Sequence, residues 1–190
     1  MKQKLTTKKI VLVALMAALT CIGSYLRVVV PISIGGNSAF HLGNIFCALS
    51  GILLGPWLGS LSAVLGSLLY DVLFYPDYIS ECWITFLTKG AYGLVAGMIA
   101  FSGKKEAGYL KAVLATLAGA LTYAALYLAK SYFYSGLLVG GLTPDAAWLS
   151  VIGKLPATIF NAAVAIIFAP ILAAAIKTAL KRNHLSRLYT

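Results

Sequence analysis

Residues 10–30 read IVLVALMAALTCIGSYLRVVV, with Arg27 the one charge in the run. At 1.5 Å per residue, a helix of this length spans about 30 Å, the thickness of bilayer hydrocarbon. MKQKLTTKK precedes it and carries four lysines. A basic start before an apolar run is also the pattern of a secretory leader. This run, however, continues to Val30 without a small-residue cleavage site, so it reads as a retained first helix that Pro31 stops.

Outward from this segment the pattern repeats. Apolar helices are predicted over 41–54, ended by Gly55-Pro56, and over 57–75, ended by Pro76. Three more follow over 83–101, 110–134 and 146–176, the last with Pro156 and Pro170 as kink points. The connections are 31–40 with Gly35-Gly36-Asn37-Ser38, a polar loop over 77–82, 102–109 with Lys104, Lys105 and Glu106, and a glycine-rich loop over 136–144. The chain is 61% hydrophobic and 11% charged, with a mean hydropathy of +0.90. That is too little charge to cover a soluble domain of 190 residues. The expected fold is an all-α integral membrane protein of six transmembrane helices, one domain over residues 1–190.

The net charge of +10 does not point to nucleic acid, because the cations stand in short blocks between apolar runs rather than along one face. Lys2, Lys4, Lys8 and Lys9 precede the first helix. Lys104, Lys105 and Lys111 surround the connection after the fourth, and Lys177, Lys181, Arg182 and Arg187 follow the sixth. An even number of spans puts all three groups on one side, the cytoplasm by the positive-inside rule, with both termini. Asp77, Glu81 and Asp145 fall on the other side.

Several chemistries lack their signatures. There is no GxxxxGK[ST] phosphate loop, no HExxH, no close acidic pair and no CxxC among Cys21, Cys47 and Cys82, so no metal or cofactor is expected. His41 and His184 lie on opposite sides of the membrane, and neither has a triad context. No internal repeat is visible.

Small residues recur at i, i+4 in Ala14/Ala18, Gly51/Gly55, Gly55/Gly59 and Gly93/Gly97. This spacing lets helix backbones approach closely, either inside the bundle or against a partner. Ala14 and Ala18 lie in the cytoplasmic half of the first helix, where a partner subunit could dock.

Charges inside spans are costly, about 2.5–3.5 kcal/mol each at the bilayer centre. Arg27, Asp71, Lys89, Lys130 and Lys154 all fall near the outer ends of their helices in this orientation. Arg27 and Lys130 are long enough to snorkel, whereas Asp71 is not. Lys154, Thr158 and Asn161 share one helix face. Tyr123, Tyr127, Lys130 and Tyr134 form a second stripe, Lys89, Tyr92 and Gly93 a third, and Ser67, Asp71 and Phe74 a fourth. These stripes form either an interhelical hydrogen-bond network or a pocket open to the outside, with cations and amides for polar groups and tyrosines for a flat ring. His41 and Asn44, one turn apart, cap that pocket or the helix they begin. Trp83 and Trp148 read as interfacial anchors.

Taken in order, Ala14-Leu15-Met16-Ala17-Ala18, His41-Leu42-Gly43-Asn44, Leu54-Gly55-Pro56, 66–71 and Thr88-Lys89-Gly90 with Gly93 and Gly97 resemble the substrate-binding S component of an energy-coupling factor (ECF) vitamin transporter. The resemblance covers nearly the whole chain. It implies high-affinity binding of a vitamin or related micronutrient at the outer face, and docking through Ala14 and Ala18 on a transmembrane coupling subunit. Two cytoplasmic ATPases would drive the cycle, with toppling of the S component in the bilayer. It selects Lys89, Tyr92, Tyr123, Tyr127, Lys154, Thr158 and Asn161 as ligand contacts. The stretches 33–40, with Asn37, and 75–82 become a lid; His41, Asp71 and Lys130 complete the expected site. Folate-like, pantothenate-like, riboflavin-like and corrinoid ligands stay open. The alternative is a small membrane assembly protein or membrane enzyme unrelated to transport.

Overall fold

The structure, a computed structural model, describes residues 6–32, 34, 37–103 and 107–183. Helix α1, Thr7–Tyr25, begins where the Thr6 hydroxyl accepts the Lys9 N–H at 3.4 Å, an N-cap. It ends five residues before the predicted stop at Val30. Val28, Val29 and Val30 are β-branched, stiff at χ1 and better suited to a pleated strand. They lie in β1, Arg27–Pro31, which pairs antiparallel with β2, Asn37–His41, with Val29 opposite Ala39. This hairpin is the one departure from an all-helical fold among the described residues. Leu42 N–H donates to Gly23 O at 3.0 Å and ties the hairpin's exit to α1.

The two helices predicted over 41–54 and 57–75 form one element, α2, Gly43–Phe74, interrupted at Gly55. There φ is +82°, left-handed backbone that glycine adopts without a Cβ penalty. Pro56 follows and cannot donate to the preceding turn. The chain folds back on itself at this point. Ser50 Oγ donates to Gly59 O at 3.0 Å, whereas nine residues of uninterrupted helix would separate them by about 13.5 Å. Ala48 and Ala63 share one buried cluster for the same reason.

A 3-10 turn, Pro76–Glu81, occupies the predicted polar loop and runs into α3, Cys82–Ala100. Helix α4, Tyr109–Ala129, continues as a π-helical segment, Lys130–Val139, which takes in part of the predicted glycine-rich loop. Helix α5, Pro144–Arg182, starts with Thr143 accepting Ala146 N–H and Pro144 in the first turn. It passes both Pro156 and Pro170 without ending. Among the described residues, five helices are long and apolar enough to cross a membrane.

Glycine decides the tightest crossing. A Cβ on Gly97 would lie 2.5 Å from Pro56 Cα, and one on Gly51 would lie 2.6 Å from Gly93 O, so α3 seats against the α2 turn backbone to backbone. The Gly51/Gly55, Gly55/Gly59 and Gly93/Gly97 pairs are thus internal. Ser62 Oγ donates to Val13 O at 3.0 Å, and Gly66 packs on Ala17 O, so α1 runs alongside the second arm of α2. Gly55 lies 3.6 Å by its Cβ position from the Phe101 ring, and Lys177 Nζ donates to Ala107 O at 3.1 Å. The start of α1, the α2 turn, the α3–α4 connection and the end of α5 therefore share one end of the bundle. The hairpin and the 3-10 turn lie at the other. Leu15, Ile22, Leu73, Phe86, Leu121, Ile159 and Ile167 point outward as a continuous apolar exterior. Lys2, Lys4, Lys104, Lys105, Glu106, His184 and Arg187 lie outside the described residues.

Candidate ligand cavity

At the hairpin end of the bundle, five helices, the 3-10 turn and the hairpin surround one cavity of about 130 Å³. Of the residues selected from sequence, Asn37, His41, Asp71, Lys89, Tyr123, Tyr127, Lys130, Thr158 and Asn161 line it. They come from five stretches of chain, and on the helices residue spacing aims them inward. Ser67 and Asp71, one turn apart, project from the second arm of α2. Thr85, Thr88 and Lys89 project from α3, Tyr123 and Tyr127 from α4, and Thr158 and Asn161 from α5.

Lys89 Nζ donates to Asn44 Oδ1 at 2.6 Å and lies 4.2 Å from the centre of the Tyr123 ring, a buried cation held by an amide and a π-face. Tyr92, Tyr123 and Tyr127 stack in sequence, with centroids 5.8 Å apart at each step and interplanar angles of 28° and 13°. Tyr92 is the sealed base of that ladder. It is 0% exposed, packs against Gly119 and does not line the cavity. Lys154 is also buried, at 4% exposure, and also lies outside the lining; its carbonyl accepts the Thr158 hydroxyl at 2.8 Å.

Asn161 has a specific structural job. Its Oδ1 accepts the His41 N–H and its Nδ2 donates to Ala39 O, both at 2.9 Å. The amide thus mimics a neighbouring strand along β2, and Phe40 meets Phe160 edge to face at 5.1 Å beside it. His41 Nδ1 accepts the Gly43 N–H at 3.2 Å, capping the start of α2. Burial, then Lys89, then Arg27 hold the His41 pKa well below 6.5, so the ring is neutral with its proton on Nε2. Lys130 forms an ion pair with Glu81 at 2.6 Å, joining the π-helical segment to the 3-10 turn across the cavity rim.

Sequence reasoning left out Arg27 as a site residue. It lines the cavity, donates from Nη1 to Tyr70 OH at 2.8 Å, and lies 4.7 Å over the Tyr75 ring. Tyr78 and Glu81 also line the cavity. The available signal was the polar composition of the 75–82 stretch, expected as lid. For Arg27 it was a charge near the outer end of its span, but that fits snorkelling equally well, and its partners 43 and 48 residues away could not be read from sequence. Ser33, Gly35 and Gly36 of the expected lid lie outside the described residues. Away from the cavity, Ala14 and Ala18 are exposed on α1, opposite the face on which Val13, Met16 and Ala17 pack.

Residues 4–178 match the family described as ECF-type riboflavin transporter, S component. A protein of Pyrococcus woesei, described as "Uncharacterized protein in gap 3'region", is 28% identical over 119 residues, covering 63% of this chain and 74% of that protein.

Proposed function

Since the chain belongs to the ECF-type riboflavin transporter S component family, we infer that it captures a vitamin with a flat ring, riboflavin first among the candidates, in the cavity beneath the β1–β2 hairpin. The observation that carries this reading is the convergence of nine polar and aromatic residues, from four helices and the hairpin, on one cavity. The tyrosine ladder offers a stacking face, and Lys89, Lys130 and Arg27 supply donors. At about 130 Å³ the cavity is smaller than the roughly 300–1,000 Å³ typical of ligand sites. The hairpin and the 3-10 turn therefore move apart to admit a vitamin.

Six membrane segments follow if the two arms of α2 count separately. The first arm, 43–54, is about 18 Å long and reaches only part of the way across. Lys8, Lys9, Lys111, Lys177, Lys181 and Arg182 lie at the end opposite the cavity. The positive-inside rule then puts that end and both termini in the cytoplasm, and the cavity outside. Ala14 and Ala18, exposed on α1, offer the small-residue face for a transmembrane coupling subunit. ATP hydrolysis falls to partner ATPases, because this chain has no phosphate loop.

The purified chain in lipid nanodiscs, titrated with riboflavin and followed by flavin fluorescence, should show saturable one-to-one binding. Ala14→Trp with Ala18→Trp should keep that binding and lose uptake in cells that hold the coupling module. Absence of flavin binding would remove riboflavin from the reading, and uptake unaffected by the two tryptophans would remove the docking face.

A further inference from the structure

Several polar groups around the cavity already have partners. Lys89 is held by Asn44, Lys130 by Glu81, Asn161 by the hairpin backbone, and the Thr88 and Thr158 hydroxyls by carbonyls one turn back. Three buried atoms of the lining without a partner lie together on one wall. Arg27 Nε, Ser67 Oγ and Asp71 Oδ2 are buried with no hydrogen-bond partner, and all three residues line the cavity. Native proteins leave few such atoms, because a buried donor or acceptor without a partner keeps its full desolvation cost.

These atoms differ in kind. Arg27 Nε is a donor only, Asp71 Oδ2 is an acceptor only when its carboxyl is ionised, and Ser67 Oγ can serve as either. Their positions are constrained. Ser67 and Asp71 are one turn apart on the same arm of α2, and Tyr70, next to Asp71, fixes the Arg27 guanidinium through its hydroxyl. Tyr75 covers that guanidinium at 4.7 Å. A carboxylate or phosphate would satisfy Arg27 but face the Asp71 carboxylate, and an ammonium would satisfy Asp71 but face Arg27. A neutral group with an N–H beside a carbonyl satisfies both.

Resting on the vitamin-binding reading above, we propose that Arg27, Ser67 and Asp71 form a specificity wall that recognises the lactam or imide edge of a heterocyclic ligand, with Asp71 accepting its ring N–H and Arg27 donating to the adjacent carbonyl. This adds Arg27 and Ser67 to the residues selected as ligand contacts from sequence, and it assigns the ligand's reading edge to β1 and α2.

Riboflavin and 3-methylriboflavin test it, because the methyl group removes the imide N–H and leaves charge and ring system unchanged. In nanodiscs the unaltered chain should bind the methylated flavin at least about tenfold more weakly, or about 1.4 kcal/mol. Asp71→Ala should weaken riboflavin and bring the two flavins within about twofold of each other. Asp71→Leu, nearly the same shape but without an acceptor, guards against misfolding of the alanine variant and should also narrow the gap. Tight riboflavin binding with no penalty for the methyl group, or a penalty that survives both Asp71 variants, overturns the wall and leaves vitamin binding intact. No flavin binding by the unaltered chain removes riboflavin from the reading above and, with it, the flavin edge assigned to this wall.

Discussion

Replacing Asn161 with alanine should free the lid without disturbing the helix that carries it. Alanine is the best helix former, so α5 keeps its backbone. What is lost is a two-point clasp, the His41 N–H bond to Oδ1 and the Nδ2 bond to Ala39 O, each 2.9 Å long. Each such bond contributes a net 0.5–1.5 kcal/mol or so, making the pair worth about 1–3 kcal/mol. If the hairpin must lift from α5 before ligand leaves, that energy comes off the opening step. Ligand dissociation should then accelerate by roughly 5–150-fold, and the His41 amide should exchange hydrogen faster by a similar factor in the ligand-free chain. Stopped-flow flavin fluorescence reads the first quantity and amide exchange mass spectrometry the second. Asn161→Asp keeps an acceptor for His41 N–H but turns a carboxylate on Ala39 O, and should loosen the hairpin as well. Unchanged exchange at β2 in Asn161→Ala would refute the clasp, whatever happens to affinity. That result would return Asn161 to the role of a simple ligand contact.

Gly97→Val should destabilise the bundle by about 1–3 kcal/mol or more, because its Cβ would meet backbone atoms of Pro56 at 2.5 Å, which cannot rotate away; Gly108→Ala, with nothing within 4 Å, is the control in thermal unfolding in detergent, and equal stability of the two variants would contradict the crossing. The depressed pKa of His41 makes it a pH-dependent element of stability. Below about pH 6.5 the unfolded chain binds a proton that the folded chain refuses, so its contribution is fully present above that pH and is lost as pH falls towards the folded value. Unfolding measured from pH 8 to pH 5 should show a steeper loss for the unaltered chain than for His41→Gln, and parallel curves would contradict the assignment.

Membrane residence, the positions of most helices and the grouping of basic residues were readable from the chain because each depends on neighbours in sequence: run length, hydropathy and charge blocks. Hydropathy does not distinguish an apolar helix from an apolar strand. Val28, Val29 and Val30 therefore read as the end of a helix, although their branching and partners eight to twelve residues on make them half of a hairpin. Helical spacing correctly put Lys154, Thr158 and Asn161 on one face of α5, but a face is longer than a cavity is deep. The cavity takes Thr158 and Asn161 and leaves Lys154 above it; likewise it takes Tyr123 and leaves Tyr92 below.

The local chemistry of residues 10–30 and its repeats along the chain was thus enough to establish a multi-pass membrane protein with costly polar groups gathered at one end. Tertiary structure alone decided what those groups do. Asn161 clasps a strand 120 residues earlier in the chain, Arg27 is anchored by Tyr70 and Tyr75, and Asp71 and Ser67 retain unused hydrogen-bonding capacity on the wall beside it. Hydrogen bonds depend on distances of about 3 Å, and only the folding of α2 back on itself at Gly55, with the hairpin laid across α5, brings those distances about.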